Sequence, residues 1–313
     1  MNKGQHGTMK PAMSSGIVFD IQRFSLHDGP GIRTTVFLKG CGLRCWWCHN
    51  PESQQPNPEL LLRTELCLRC GACVGECPQT AIQRDGDQFI TNRAVCARCG
   101  SCVATCVAGA RELAGQEMTV DQVMDEVLRD VIFYNESGGG VTFSGGESLL
   151  QSDFLFDLLQ ACKMHELHTV VDTCGYATSD VLARVRSCVD LFLYDVKVMD
   201  DTLHRKVTGA SNQLILDNLR YLAEHNHPVL VRVPIIPNIN DDKNNLGQIG
   251  GLVRSMSNIQ GVSVLAYHTL GKNKYERLGR LDPMPETAAP SEDTMLEAKC
   301  LLESFGLNVT IGG

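Results

Sequence analysis

Eleven of the chain's fifteen cysteines fall between Cys41 and Cys106, in three clusters whose members are separated by only two or three residues. A disulfide framework spreads its cysteines and belongs to short secreted chains, whereas this chain has 313 residues. Clustered thiols in a chain of that size read as metal ligands, so this segment must fold around inorganic centres rather than an apolar core. The other four, Cys162, Cys174, Cys188 and Cys300, stand alone among apolar residues and read as core thiols.

Composition excludes several classes. With 43% hydrophobic and 20% charged residues, the chain can build one large domain, or one domain with a small insert. No run reaches the roughly 18 apolar residues of a membrane span, since the most apolar stretch, Val229 to Ile236, is broken by Arg232 and Pro234. The balance of 28 basic and 36 acidic side chains, with no Lys/Arg block, argues against nucleic-acid binding. Residues 1–16 lack the apolar centre of a signal peptide and read as a flexible leader, so a cytoplasmic location is expected.

Past residue 115 strands and helices alternate. Val120, Val123, Met124, Val127, Leu128 and Val131 mark one helical face. The β run Val141 to Phe143 follows Gly138-Gly139-Gly140. Further β runs are predicted at Thr169–Asp172, Leu191–Val196, Val229–Val233 and Val262–Tyr267, and Thr34–Leu38 precedes them all. Helices are expected around 154–165, 180–187, 214–224, 246–256 and 293–304, with a last short strand at 307–311. Alternation of this kind means a parallel α/β sheet, either wound open or closed as a complete or partial barrel. In such folds the C-terminal strand ends form the reactive rim. Six runs in succession end there in Cys41, Ser144-Gly145-Gly146-Glu147, Asp172-Thr173, Asp195-Val196-Lys197, Arg232 and His268.

The first cysteine cluster, Cys41-x3-Cys45-x2-Cys48, lies directly after a β run. Three thiolates in one loop can hold three irons of a [4Fe–4S] cube and leave the fourth iron open to a substrate. The alternative, zinc, needs a fourth ligand such as His49. The second and third clusters, Cys67-x2-Cys70-x2-Cys73-x3-Cys77 and Cys96-x2-Cys99-x2-Cys102-x3-Cys106, repeat one another at an offset of 29 residues. This is a doubled bacterial ferredoxin run, in which the fourth cysteine ligates the other run's cube. Cys67, Cys70, Cys73 and Cys106 therefore go to one cube, and Cys77, Cys96, Cys99 and Cys102 to the other. Val107 stands where the run has proline, a position that supplies no ligand. Fully ligated cubes suit electron transfer, with a structural staple as the alternative role.

With the loop ending Cys48-His49-Asn50 and the segment Ser25-Leu26-His27-Asp28-Gly29-Pro30-Gly31-Ile32-Arg33, the chain resembles radical S-adenosylmethionine enzymes, and more narrowly the activating enzymes of glycyl-radical enzymes, from Val18 to its end. The resemblance implies a partial (β/α)6 TIM-like barrel over residues 17–50 and 116–313, with a ferredoxin-like two-[4Fe–4S] insert over 51–115. It implies three [4Fe–4S] clusters and S-adenosylmethionine, chelated at Cys41, Cys45 and Cys48 and flanked by Trp47 and His49. Gly145, Gly146 and Glu147 match the motif that binds the methionine amino group, although Ser148 stands where the family often has proline. Asp195, Lys197, Arg232 and His268 match further cofactor contacts. Asp172, Thr173 and Asp195 resemble a monovalent-cation site. Lys197 and Arg232 have the alternative of an ordinary ion pair with Asp195 or Asp172. The implied partners are a glycyl-radical enzyme as protein substrate and reduced flavodoxin or ferredoxin as electron donor, in an anaerobic setting. Two rival functions are a radical enzyme acting on a small molecule or peptide, and a ferredoxin-like electron carrier.

Overall fold

The computed structural model describes residues 14–312. Among them the chain forms thirteen strands: β1 (Ser15–Ser25), β2 (Arg33–Leu38), β3 (Glu59–Leu62), β4 (Ile82–Asp85), β5 (Gln88–Thr91), β6 (Arg111–Ala114), β7 (Gln116–Thr119), β8 (Gly140–Gly145), β9 (His168–Thr173), β10 (Leu191–Asp195), β11 (Val229–Ile235), β12 (Ile259–Ala266) and β13 (Val309–Ile311). Nine of them make one sheet in the order β13-β12-β11-β10-β9-β8-β2-β1-β7. Every pair from β2 to β13 is parallel, while β1 pairs antiparallel with both β2 and β7. Helices cover the crossovers, among them Ser152–Met164, Ser179–Val185, Gln213–Glu224 and Lys243–Arg254. Strands buried on both faces read as continuous apolar runs, which is why Val141, Phe143, Val170, Val171, Phe192 and Leu193 are all buried.

In a flat sheet β2 and β12 would stand five spacings, ~24 Å, apart. Here Gly271, just after β12, lies so near the loop after β2 that a Cβ on it would be 2.5 Å from the Cys48 carbonyl oxygen. The sheet is therefore curled into part of a barrel, and its parallel strands point their C-terminal ends at one cleft.

Local chemistry sets the element ends. Helix Val120–Val127 begins with a reciprocal cap: the Gln122 amide donates to Thr119 Oγ1 at 3.3 Å, and the Thr119 amide donates to Gln122 Oε1 at 2.9 Å. The apolar face was expected to continue to Val131, but the α-helix stops at Val127. Asp130 turns inward to accept from Arg23 and from Thr34 Oγ1 (2.9 Å), and Tyr134 Oη donates to the Val127 carbonyl at 2.9 Å. A second helix, Val131–Ser137, starts after this inward turn.

Of the expected leader, residues 1–13 lie outside the described residues, and Ser15 and Gly16 already belong to β1. Between β2 and β7 the chain leaves the main sheet. It builds two small antiparallel pairs, β3 with β6 and β4 with β5, and two short helical turns, Ala72–Gly75 and Ser101–Ala104. Among the described residues no helix is long and apolar enough to cross a membrane.

One buried cation pins the start of the parallel sheet. Arg33 is fully buried and donates to Thr142 Oγ1 (2.7 Å) and to the carbonyls of Pro30 (2.9 Å), Val141 (2.7 Å) and His168 (3.2 Å), tying β2, β8 and β9 together. Burial pushes its pKa down to about 10. Replacing Arg33 by Met strands several carbonyl acceptors, at about 3 kcal/mol. The expected outcome is an apparent melting temperature lower by roughly 4–5 °C in an anaerobic thermal scan; an unchanged curve would show that the guanidinium carries no structural weight.

Candidate active site

The strand ends open onto a cleft of about 540 Å³. Cys41, Cys45 and Cys48 all line it, on a loop held from both sides. The Gly40 and Cys41 amides donate to the carbonyls of Ser53 and Gln54, and the Arg44 and Trp46 amides to the carbonyls of Thr208 and Val207, at the end of helix Asp201–Thr208. Burial pushes the Cys41 thiol up to about 11 and the Cys45 thiol up to about 12, and it raises Cys48 as well. Desolvation thus keeps the three protonated unless a metal takes the proton's place, the property of a site that is charged only when filled. Among the described residues no three His, Cys, Asp or Glu side chains converge to hold a single metal ion. A cube has a different requirement, one thiolate for each of several iron corners.

Opposite the thiols, three neighbouring strands end in a closed charge network. Arg232 of β11 donates to Asp195 Oδ1 of β10 at 3.0 Å and to Asp172 Oδ1 of β9, and Lys197 donates to Asp195 Oδ2 at 2.7 Å. The strand register places them together, since Asp195 pairs with Arg232 and Tyr194 with Thr173. Burial raises Asp172 to about 6 despite Arg232. Burial acts the same way on Asp195, but Lys197 and Arg232 together outweigh it and hold Asp195 below the usual carboxylate range. Ser144 Oγ also donates to Asp172, at 2.7 Å.

The loop after β8 packs backbone to backbone against the cysteine loop. The Gly146 amide donates to the Leu38 carbonyl at 2.9 Å, and the Glu147 amide to the Gly40 carbonyl at 2.7 Å. Gly145 has φ +128°, and a Cβ there would lie 2.1 Å from the Leu38 oxygen, so no other residue fits. Trp47 lines the cleft, and at its mouth His49 and His268 are in contact, Nε2 to Nδ1 at 2.5 Å.

A model of the radical SAM superfamily matches residues 35–246. The chain is 47% identical over 300 residues to the trans-4-hydroxy-L-proline dehydratase activating enzyme of Clostridioides difficile, covering 95% of this chain and 99% of that one. It is 38% identical to the choline trimethylamine-lyase activating enzyme of Oleidesulfovibrio alaskensis, covering 94% and 97%. This chain belongs to the radical SAM superfamily, among the activating enzymes of glycyl-radical enzymes. In fold it is similar to Streptococcus suis SuiB bound to precursor peptide SuiA, with a TM-score of 0.53 and 12% identity over 87% of this chain and 46% of that one. A radical SAM enzyme carries a [4Fe–4S] cluster and S-adenosylmethionine, and a curled, mostly parallel sheet around one cleft is the fold on which this chain builds its site.

Two of the expected groups already have partners within the protein. Glu147 is fully buried and absent from the cleft wall. Its carboxylate accepts from Thr173 Oγ1 (2.6 Å), the Cys174 amide (3.0 Å) and the Leu149 amide (3.2 Å), so it braces β8 against β9 and is not free to meet an ammonium. Asp172, Thr173 and Asp195 are likewise engaged by protein partners. The Arg232 guanidinium stands between the two carboxylates and satisfies both, and the Thr173 hydroxyl faces Glu147. The ion pairs weighed as the alternative for Lys197 and Arg232 are present, on the cleft wall.

Sequence reasoning also left His27 and Asp28 without a role, although both line the cleft and Asp28 Oδ2 accepts from Thr35 Oγ1 at 2.7 Å. The signal was the polar Ser25–Asp28 segment just ahead of β2.

In the insert, Cys77, Cys96, Cys99 and Cys102 line one small pocket with Leu60, Ile82 and Leu113. Arg69 and Arg98, with φ of 58° and 56°, and Gly71 and Gly100, with φ of 76° and 80°, repeat one left-handed turn in both halves.

The raised Asp172 gives a test of the charge network. A carboxylate whose folded pKa is about 6 binds more protons folded than unfolded between its ordinary value near 4 and about 6, so it costs stability as pH rises through that window. Asp172→Asn removes this dependence. Relative to wild type, the variant's stability should climb from pH 4 to pH 6 in parallel anaerobic urea titrations; a flat difference would place the proton elsewhere.

Proposed function

We propose that this activating enzyme holds three [4Fe–4S] cubes: one at Cys41, Cys45 and Cys48, one at Cys67, Cys70, Cys73 and Cys106, and one at Cys77, Cys96, Cys99 and Cys102. The single observation that carries the reading is the cleft, in which three half-buried thiols share the lining with a wall of fixed charge at the ends of the parallel strands. Three thiols cannot complete a cube, so one iron is left for the cofactor's amino and carboxylate groups. When bound and reduced, the cube supplies the electron that divides S-adenosylmethionine into methionine and a 5′-deoxyadenosyl radical, which takes a hydrogen from a glycine of the partner enzyme.

The chain's residues bind and orient. Lys197 and Arg232 direct positive charge at the methionine carboxylate while Asp195 and Asp172 hold them in place, a charge-assisted contact strengthened by exclusion of water. The peptide groups of Gly145 and Gly146 accept from the amino group, because Glu147 is committed elsewhere. Trp47 lies beside the adenine, and His49 and His268 close the mouth. The segment from Pro51 to Gly115 is the ferredoxin-like insert, whose eight cysteines would hold two cubes and so would supply a path for electrons from reduced flavodoxin or ferredoxin. The similarity at 47% identity makes a trans-4-hydroxy-L-proline dehydratase the glycyl-radical partner to assay first.

Anaerobic reconstitution tests this. About twelve irons per chain, four for each cube, and 5′-deoxyadenosine formed on reduction with dithionite are expected, with a glycyl radical seen by electron paramagnetic resonance when the partner is added. Cys45→Ala should keep about eight irons and form no deoxyadenosine. Iron without deoxyadenosine in the wild type, with or without partner, would return the chain to the electron-carrier class. Lys197→Met should weaken S-adenosylmethionine binding about 10- to 100-fold by equilibrium dialysis, the worth of a hydrogen bond to a charged group. Unchanged binding would assign Lys197 to the ion pair alone.

A further inference from the structure

The charged groups on the cleft wall hold one another, as Arg232 does Asp172 and Asp195, and Asp28 accepts from Thr35. Ser25 is different. It is 5% exposed, and of the buried side-chain oxygens and nitrogens left without a hydrogen-bond partner among the described residues, its hydroxyl alone belongs to a residue that lines the cleft. Leaving a buried hydroxyl unmet is costly, so each such group in a folded protein calls for a cause.

The backbone is strained to put it there. Ser25 pairs with Arg33 at the end of β1, and the pairing with β2 shifts between Gln22 and Ser25. Inside that irregularity Phe24 has φ +60°, a left-handed conformation that bulky residues avoid. Its ring stays half exposed, edge-on to Phe133 at 5.0 Å between centroids and under the Arg23 guanidinium at 5.2 Å, while Arg23 is tied to Asp130. Strain of this kind persists only where the surroundings impose it, and it collects at functional sites. The loop that follows is fixed as well. The Ile32 amide donates to Ser137 Oγ at 2.8 Å, Thr142 Oγ1 donates to the Asp28 carbonyl at 2.7 Å, and a Cβ on Gly31 would lie 2.5 Å from the Gly139 nitrogen. Ser25 is thus presented by a preformed wall, which spares a ligand the cost of ordering it.

Its position separates it from the cofactor groups. Ser25 stands level with Arg33, the first residue of β2, whereas the cysteine loop follows Leu38, the last; five steps of strand, ~16 Å, lie between. Lys197 and Arg232, the Lys and Arg side chains of the cleft lining, belong to the strand ends. Beside Ser25 the lining is neutral or acidic: Gln22, on the same strand, offers a carboxamide, and the Asp28 carboxylate repels an anion. A hydroxyl and a carboxamide each donate and accept, as a peptide backbone does.

We propose that this wall receives the glycine-bearing segment of the partner enzyme, and that the Ser25 hydroxyl, with Gln22 beside it, hydrogen-bonds the segment's backbone next to the target glycine. The inference rests on the activating-enzyme reading above and adds to it a residue that holds the glycine in place for hydrogen abstraction. The bond that Ser25 lacks in the free protein is made when the segment enters.

The test is glycyl-radical formation on trans-4-hydroxy-L-proline dehydratase by the full reconstituted chain, followed by electron paramagnetic resonance at varied dehydratase concentration. Ser25→Ala should raise KM for the dehydratase about fivefold, the worth of one neutral hydrogen bond, and should spend more deoxyadenosine per glycyl radical formed. Ser25→Thr keeps the hydroxyl and should recover part of both losses. Gln22→Ala should raise KM in the same direction by less, and it carries the test if Ser25→Ala loses iron. Because the hydroxyl has no partner in the free protein, Ser25→Ala should melt no lower than wild type. Unmoved KM in Ser25→Ala and Gln22→Ala, a lower melting temperature with KM unchanged, or an equal loss of S-adenosylmethionine binding by equilibrium dialysis would overturn the inference. Wild type is assayed first: no glycyl radical on the dehydratase overturns the partner reading and this inference with it, whereas a radical with unmoved KM in the variants overturns the inference alone.

Discussion

Arg232 lies where three strands end, and the cleft depends on it. Asp172 and Asp195 occupy adjacent strands, both largely withdrawn from water, and two such carboxylates cannot remain ionised side by side without a cation between them. Removing one member of a buried network of this kind costs about 3–5 kcal/mol, because the remaining charge is left unpaired. The parallel register sets Asp195 level with Arg232 and Asp172 level with Leu193, two residues away on the same face, and a slip of one residue would turn a charge to the opposite face of the sheet. The charges thus report the register while the register creates the site. The same economy holds at Glu147, whose carboxylate joins β8 to the end of β9 and so fixes the loop against which the three cysteines are braced.

Much of this was legible in the sequence because the parallel strands are buried on both sides. Val141–Phe143, Leu191–Val196 and Val229–Val233 stand out as apolar runs, and the polar residues at their ends could be assigned to one rim from strand direction alone. β1 was not legible. Its eleven residues alternate poorly and bury few side chains, Val18 among them, because the strand lies near the sheet edge and is held by pairing with β2 and β7. Helix Asp201–Thr208 escaped notice for a similar reason, since its buried face is made by His204, Val207 and Thr208, only one of which is apolar. The protein partners of Glu147 and of Asp172 with Thr173 were not legible because sequence places a residue at a strand end without saying which way its carboxylate turns. That choice is made by donors on other strands: the Cys174 amide for Glu147 and the Arg232 guanidinium for Asp172.

The insert shows what ligand spacing constrains and what it leaves free. Spacing sets the cysteines and the turns that present them, so the left-handed positions at Arg69 and Arg98, and at Gly71 and Gly100, recur in both halves. It places no demand on the residues that stand beside the sulfurs, and there the halves diverge. Ser101 stands where the first half has Ala72, and Arg111 where it has Ile82.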